Sequence, residues 1–177
     1  MKILFINACV RKESRTFILA TELLSGMNGS IEELNLIDLD LKPLTEENII
    51  TRTSDINEQK YAKQFSEADV IVIAAPMWDL SFPASLKLYL ENINIAGVTF
   101  KYTETGIKSL CKAKKLYYIS TAGGMFVKDY GYEYIKSLAN IFYGITDVKL
   151  FYAEGLDQWG NDVEEILKKA LIEIENE

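Results

Sequence analysis

Three short segments carry the residue types best suited to chemistry. The first, NACVRKESRT at residues 7–16, supplies hydroxyl groups and cations directly before an apolar helical pattern. The second, PMWDL at residues 76–80, places large apolar groups on a loop after a hydrophobic strand, and the third, STAGG at residues 120–124, combines hydroxyls with two glycines. Cations and free N–H groups at a helix start suit a phosphate. A flat apolar wall suits an aromatic ring.

Each segment also has a simpler explanation. Ser14 could serve only as a helix cap. The apolar loop residues could pack against a neighbouring helix or subunit, and glycines often end strands. The first segment lacks both the GxGxxG pattern of a dinucleotide site and the GK[ST] ending of a P-loop. Taken one at a time, the segments therefore leave packing and ligand binding open.

Side-chain catalysis is restricted by composition. The chain has no histidine, which removes the commonest general base and the usual Ser-His-Asp and Cys-His mechanisms. It has two cysteines, Cys9 and Cys111, without CxxC spacing, so we expect no metal site and favour buried structural thiols over a redox disulfide. Redox or group-transfer chemistry would then have to come from a cofactor.

Length and charge narrow the class of protein further. The 177 residues fit one domain, 1–177, and the net charge of −7 argues against nucleic acid and anionic membranes as partners. A local nest of N–H groups can still bind a small anion. The apolar run in MKILFINA is too short for a signal segment, and no run approaches a membrane span, so a cytoplasmic protein is expected.

The hydropathy pattern alternates between strands and helices along the chain. Apolar runs predict strands at 2–7, 69–75, 114–121 and 145–152, and alternation of apolar and polar residues predicts a strand at 31–36. Helical spacing predicts helices at 15–27, 56–67, 81–94, 129–143 and 161–176. Residues 38–55 are expected to be a loop, and 97–106 a short hairpin. This α/β order predicts a flavodoxin-like fold: a five-stranded parallel sheet, order 2-1-3-4-5, with helices on both faces.

Such a sheet brings the three segments to one place. Ligands of these folds bind beyond the carboxyl ends of the strands at the switch point, where loops 8–16, 76–82 and 122–128 should meet. A phosphate nest beside a flat apolar wall and a glycine-rich rim describes a mononucleotide site. FMN fits this sheet order.

The sequence resembles the flavodoxin-like, FMN-dependent NAD(P)H:quinone oxidoreductases and azoreductases over nearly its whole length. Ser14-Arg15-Thr16 resembles the family's Ser-x-Ser phosphate loop, and Pro76 to Leu80 resembles its P-M-[YW]-N-F flavin loop. The most specific match is AGVTFKYT at residues 96–103, and Thr121 with Gly123-Gly124 matches the rim at the pyrimidine side of the flavin. The chain departs from the pattern at Asp79, where the family usually has Asn.

The resemblance implies an enzyme that binds FMN, takes electrons from NADH or NADPH by a ping-pong mechanism, and reduces a quinone-, azo- or nitroaromatic-type acceptor as a homodimer. The implied cofactor-binding residues are Arg11, Ser14, Arg15, Thr16, Pro76, Met77, Trp78, Asp79, Leu80, Thr121, Ala122, Gly123 and Gly124. The implied acceptor pocket contains Phe100, Tyr102 and Phe126, for which dimer packing is the alternative. A flavodoxin-type electron carrier acting through protein partners is the alternative function.

Overall fold

Within the part of the chain that the structure describes, seven strands and six α-helices make up the architecture. The structure, a computed structural model, describes residues 1–57 and 59–177. The strands are β1 Lys2–Asn7, β2 Ser30–Asn35, β3 Val70–Ala74, β4 Phe100–Thr103, β5 Gly106–Ser109, β6 Lys115–Thr121 and β7 Asp147–Ala153. The α-helices are α1 Arg15–Ser25, α2 Glu46–Thr51, α3 Lys60–Glu67, α4 Ala84–Ile93, α5 Tyr132–Leu138 and α6 Val163–Glu175.

The main sheet is parallel, with strand order β2-β1-β3-β6-β7. Because β4 and β5 form a separate antiparallel hairpin, this order is the predicted 2-1-3-4-5 with the hairpin strands left out of the count. The predicted fold class is therefore confirmed. β1 lies between β2 and β3, which places the reversal of strand order at its carboxyl end.

Alternate side chains along each strand enter two different cores, so helices are needed on both faces. On one face, Ile3 and Phe5 of β1 pack with Leu19 and Leu23 of α1 and with Ala170 of α6. On the other face, Leu4 and Ile6 of β1 pack in a second core with Phe65 of α3, Tyr89 of α4 and Ile135 of α5. Both faces of the sheet are covered, as the continuous apolar strands predicted.

Three segments differ from the sequence prediction. The stretch 38–55, expected to be a loop, begins with the last residue of a 3₁₀ turn, Leu36–Asp38, and contains the short helix α2, which begins at a capping box between Thr45 and Asn48. The helix expected at 129–143 is α-helical only to Leu138 and continues as a π-helical turn, Ala139–Tyr143, before the left-handed Gly144. The helix expected at 56–67 begins at Lys60, and Glu58 lies outside the described residues.

Candidate functional site

A cleft of about 680 Å³ opens at the carboxyl ends of β1, β3, β6 and β7. Its volume lies within the usual range of small-molecule sites. The lining residues come from four loops: Val10, Arg11, Lys12, Glu13, Ser14, Arg15, Thr16, Pro76, Met77, Trp78, Thr121, Ala122, Gly123, Leu156 and Asp157. Ten of the thirteen residues predicted to bind a cofactor are therefore brought together. Asp79, Leu80 and Gly124 lie within two residues of lining residues in the sequence but are not among them.

The first loop places two hydroxyls at the start of α1. Ser14 is the N-cap, and its Oγ accepts a hydrogen bond from the Phe17 N–H at 3.3 Å. Thr16 is fully buried, and its Oγ1 lies 2.6 Å from Thr121 Oγ1. The capping role is thus present for Ser14, and the Thr16 hydroxyl ties the first loop to the third. Both residues still line the cleft, where the first-turn N–H groups of Arg15 and Thr16 lack partners within the helix.

The cations of the first loop have unequal roles. The Arg15 guanidinium donates from Nη1 to Asp157 Oδ1 at 2.8 Å and to the Leu156 carbonyl at 3.3 Å. Arg11 and Lys12 are exposed on the rim of the same cleft. Because Arg15 is already paired with a carboxylate, Arg11 and Lys12 are the better source of positive charge for an anion.

The second loop is held in a tight turn. Met77 N–H donates to the Thr121 carbonyl at 2.9 Å, which continues the β3–β6 pairing into the loop. Trp78 and Ser81 then exchange two backbone hydrogen bonds, each 2.9 Å long, around Asp79 and Leu80. The Trp78 side chain contacts the cleft while Trp78 remains 42% exposed. With this exposure, the Trp78 side chain forms part of the wall of the cleft and is only partly packed against the rest of the chain.

Backbone strain is concentrated at this turn. Asp79 has φ of 48° and Leu80 has φ of 70°, both in the left-handed region. A two-residue turn with both φ values positive normally carries Asn-Gly or Asp-Gly. Leucine is unfavourable there because its Cβ lies too close to the following carbonyl oxygen. Such strain persists where the surrounding structure enforces it, commonly at functional sites. The Ser81 hydroxyl, which donates to the Tyr130 carbonyl at 2.7 Å, is one anchor of the turn.

The third loop is packed against a fourth loop that the sequence analysis missed. Leu156 N–H donates to the Ala122 carbonyl, and Asp157 N–H donates to the Gly123 carbonyl at 2.9 Å. A Cβ added to Gly123 would lie 2.4 Å from Asp157 Oδ2. A side chain at Gly123 would therefore force the Asp157 carboxylate to shift. The role expected of Gly123 at the rim of a cofactor site stays a prediction. The sequence signal that could have identified this fourth loop is its position directly after β7, whose carboxyl end lies at the same edge of the sheet.

The three residues predicted for an acceptor pocket lie outside the cleft lining. Phe100 is 4% exposed, and its ring packs edge-on against Phe142 with centroids 5.0 Å apart. Tyr102, on the same hairpin, is 71% exposed. Phe126 stacks on Tyr152 at 4.7 Å. Phe100 thus packs within its own chain, and neither the pocket role nor the dimer-packing alternative is tested for Phe100, Tyr102 or Phe126, so both stay predictions.

The two cysteines are buried and free, which is the structural role favoured from the sequence. They belong to the two opposite cores of the sheet. Burial raises the pKa of each thiol to about 11, so both remain protonated near neutral pH.

Over the described part of the chain, no helix combines the length and apolar character needed to cross a membrane.

Comparison with known proteins identifies the family of this chain. A profile of a family described as having a flavodoxin-like fold matches residues 1–177. The FMN-dependent NADH:quinone oxidoreductase 2 of Clostridium acetobutylicum is 39% identical to this chain, with 96% of this chain and 94% of that protein aligned. The FMN-dependent NADH:quinone oxidoreductase of Coprothermobacter proteolyticus is 37% identical over 98% of this chain and 96% of its own length.

Solved structures show the same relationship. An azoreductase from Bacillus anthracis superposes with a TM-score of 0.86 and 27% identity, covering 99% of this chain and 97% of its own. An FMN-dependent NADH-azoreductase from the same species, solved in complex with FMN, superposes with a TM-score of 0.83 at 27% identity, over 99% of this chain and 96% of its own. The resemblance found in the sequence is thereby confirmed, and the chain belongs to the flavodoxin-like fold family.

Proposed function

We propose that this chain is an FMN-dependent oxidoreductase that passes two electrons from NADH or NADPH to a quinone-, azo- or nitroaromatic-type acceptor in a ping-pong reaction. The observation that carries the proposal is the cleft at the switch point, in a chain 39% identical to an FMN-dependent NADH:quinone oxidoreductase. Residues 1–177 act in it as one FMN-binding domain. A cytoplasmic location stays a prediction from the sequence.

The donor groups of the cleft fit FMN. Arg11 and Lys12 stand beside the first turn of α1, where the helix dipole and free N–H groups favour a phosphate. At the other end, Pro76, Met77 and Trp78 form an apolar wall for a planar ring system. FMN, when bound, supplies the capacity to take up and give back two electrons.

The chain itself contributes binding, orientation and electrostatics. The rigid turn at Trp78–Ser81 fixes the indole and presents the backbone of Asp79 and Leu80 next to the cleft. The rim at Thr121 to Gly123 is held by hydrogen bonds to the second and fourth loops. Since no histidine is present, no imidazole takes part in proton transfer, and protons can be exchanged with solvent at this open cleft.

The comparisons give no support for the alternative function, a flavodoxin-type electron carrier. The two functions differ in a direct test. Purified protein loaded with FMN is mixed anaerobically with NADH or NADPH in a stopped-flow instrument. Rapid bleaching of the flavin absorbance by at least one donor, followed by reoxidation with a benzoquinone, is expected. Failure to bind FMN, or a bound flavin that neither donor bleaches, would contradict the proposal.

We further propose that the acceptor is a small aromatic molecule and that the chain works as a homodimer. Exposed apolar side chains near the cleft and on the hairpin support a dimer, because a monomer would leave them in water. They include Trp78, Leu80, Tyr102, Met125 and Tyr130. Analytical ultracentrifugation at micromolar concentration should show twice the mass of the 20.1 kDa chain. A monomer would count against both the dimer and a pocket shared between subunits.

A further inference from the structure

One carboxylate in the cleft has no role in the function proposed above. Asp157, on the loop after β7, lines the cleft. Its Oδ1 accepts from Arg15 of the first loop, and its backbone N–H donates to the Gly123 carbonyl of the third loop. Asp157 therefore stands where the end with the cations meets the rim that borders the ring wall.

The two carboxylate oxygens of Asp157 have different surroundings. Oδ1 is paired with Arg15 Nη1 at 2.8 Å. Oδ2 lies directly over Gly123, where a Cβ would be only 2.4 Å away, and has no hydrogen bond among residues 1–57 and 59–177. The side chain is 66% exposed, so it is not there to fill a core. One acceptor oxygen thus remains available in the cleft.

The chemistry of FMN identifies a donor for that oxygen. FMN consists of a phosphate, a ribityl chain with three free hydroxyls and an isoalloxazine ring, in that order. With the phosphate at Arg11 and Lys12 and the ring at Trp78, the hydroxyls fall in the middle of the cleft. We infer that Asp157 is a cofactor-selecting residue whose carboxylate accepts a hydrogen bond from a ribityl hydroxyl. This inference rests on the proposed FMN site.

Arg15 makes a carboxylate tolerable at this position. An unpaired negative charge beside a phosphate would repel it, and the guanidinium at 2.8 Å offsets that charge. Arg15 therefore acts on FMN through Asp157, which gives a role to the cation of the first loop that is paired with a carboxylate. A flavin without a phosphate should be indifferent to Arg15 but sensitive to Asp157.

Three flavins separate the effect of Asp157 on the ribityl chain from the effect of Arg15 on the phosphate. Kd is measured by fluorescence titration of the apoprotein with FMN, with riboflavin, which lacks the phosphate, and with lumiflavin, in which a methyl group replaces the ribityl chain. A hydrogen bond to a charged acceptor predicts that Asp157→Ala raises the Kd of riboflavin by about 10- to 100-fold and leaves that of lumiflavin within about twofold. Asp157→Asn, which keeps an acceptor oxygen, should give an intermediate value for riboflavin.

Arg15→Met is the control for a purely structural ion pair. It should weaken FMN while leaving riboflavin within about twofold of the wild-type Kd. Equal weakening of all three flavins by Arg15→Met and Asp157→Ala would overturn the inference, because the pair would then only hold two loops together. An unchanged riboflavin Kd in folded Asp157→Ala, checked by its melting curve, would overturn it as well. Wild-type protein that binds none of the flavins would instead refute the FMN site itself.

Discussion

Trp78 is the residue for which packing and ligand binding give the most different expectations. Its side chain lines the cleft and the residue is 42% exposed, so its removal opens little of the core. We expect Trp78→Ala to lower the free energy of unfolding of the apoprotein by no more than about 1 kcal/mol. FMN affinity should fall because the ring wall is lost. The measurements are urea denaturation of the apoprotein and flavin titration.

Tyr118→Ala provides the contrast for Trp78→Ala. Tyr118 is 1% exposed in the core, and truncation of a buried aromatic side chain costs about 3–5 kcal/mol. If Trp78→Ala destabilised the apoprotein as much as Tyr118→Ala and left FMN affinity unchanged, the PMWDL segment would be a packing element.

Asp79 offers an electrostatic test of the same loop. It is exposed beside Trp78 in the strained turn, and reduction of a flavin adds negative charge nearby. Removing the carboxylate charge with Asp79→Asn should therefore raise the midpoint potential, by on the order of tens of millivolts after solvent screening. Spectroelectrochemical titration measures it. Asp40→Asn, at an exposed position outside the cleft lining, is the matched control. Equal shifts in both variants would assign the effect to net charge alone.

Sequence spacing identified many of the cleft residues, but it did not identify their partners. The convergence of four cleft residues was predictable because the carboxyl ends of parallel strands lie at the same edge of the sheet. These residues, at or after the ends of strands, are Ser14, Thr16, Trp78 and Thr121. The pairs Thr16–Thr121 and Arg15–Asp157 span 105 and 142 residues of sequence. Contacts of that separation depend on loop conformation and not on periodicity. Asp157 was missed for this reason, since a lone acid on a surface loop usually faces solvent.

At the scale of elements, the β4–β5 hairpin separates two roles within one short strand. Phe100 points into the chain against Phe142, whereas Tyr102 is 71% exposed and its ring packs edge-on against that of Phe100. Phe100→Ala should cost about 3–5 kcal/mol of unfolding free energy, and Tyr102→Ala about 1 kcal/mol or less. If Tyr102 lines an acceptor pocket across a dimer, Tyr102→Ala should raise the KM for the acceptor without changing that for NADH. An unaltered acceptor KM would remove Tyr102 from the pocket.

The central strands were predictable because buried parallel strands are continuous apolar runs bounded by polar residues, whereas the mostly exposed β2 was predicted from alternation. The short helix α2 and the π-helical turn were harder to predict from the sequence than the strands. Helix α2 has no buried residue and depends on its capping box, so its hydropathy pattern carries no periodic signal. The π-helical turn at Ala139–Tyr143 adds a wider turn to an otherwise regular helix, and local propensity does not distinguish the two. Ser109 of the hairpin donates to the Tyr143 carbonyl at this turn, a tertiary contact outside the reach of sequence spacing.

At the scale of the whole molecule, charge is distributed unevenly along the sheet. The chain carries a net charge of −7, yet Arg11, Lys12 and Arg15 gather in the cleft at the start of α1. A second group of charges lies on β6 and β7, where Glu177, beyond the end of α6, contacts Lys115, Lys149 and Tyr117. This cluster connects the last helix to the edge of the sheet. It contributes to fold stability independently of the cleft.

Glu177 makes this contribution dependent on pH. Hydrogen bonds from Lys115 and Lys149 lower the pKa of its carboxyl from 4.5 to about 2. A carboxyl whose pKa is lower in the folded state stabilises that state fully above its unfolded pKa, and the stabilisation disappears as the pH falls towards 2. Glu177→Gln should therefore lower the free energy of unfolding by about 1 kcal/mol at pH 7, a value discounted for partial exposure. The difference from wild type should shrink between about pH 4.5 and pH 3.

Urea denaturation from pH 3 to pH 7 measures this dependence, with Glu175→Gln as the control. Glu175 is exposed in the last turn of α6, so its substitution should give a small difference at every pH. The cluster lies at the starts of β6 and β7, whereas the cleft lies at the carboxyl ends of the strands. FMN affinity at pH 7 should accordingly be the same in Glu177→Gln and wild type. A stability difference that stays constant over the whole pH range would show that Glu177 acts through packing, because only a titrating carboxylate gives the loss at low pH.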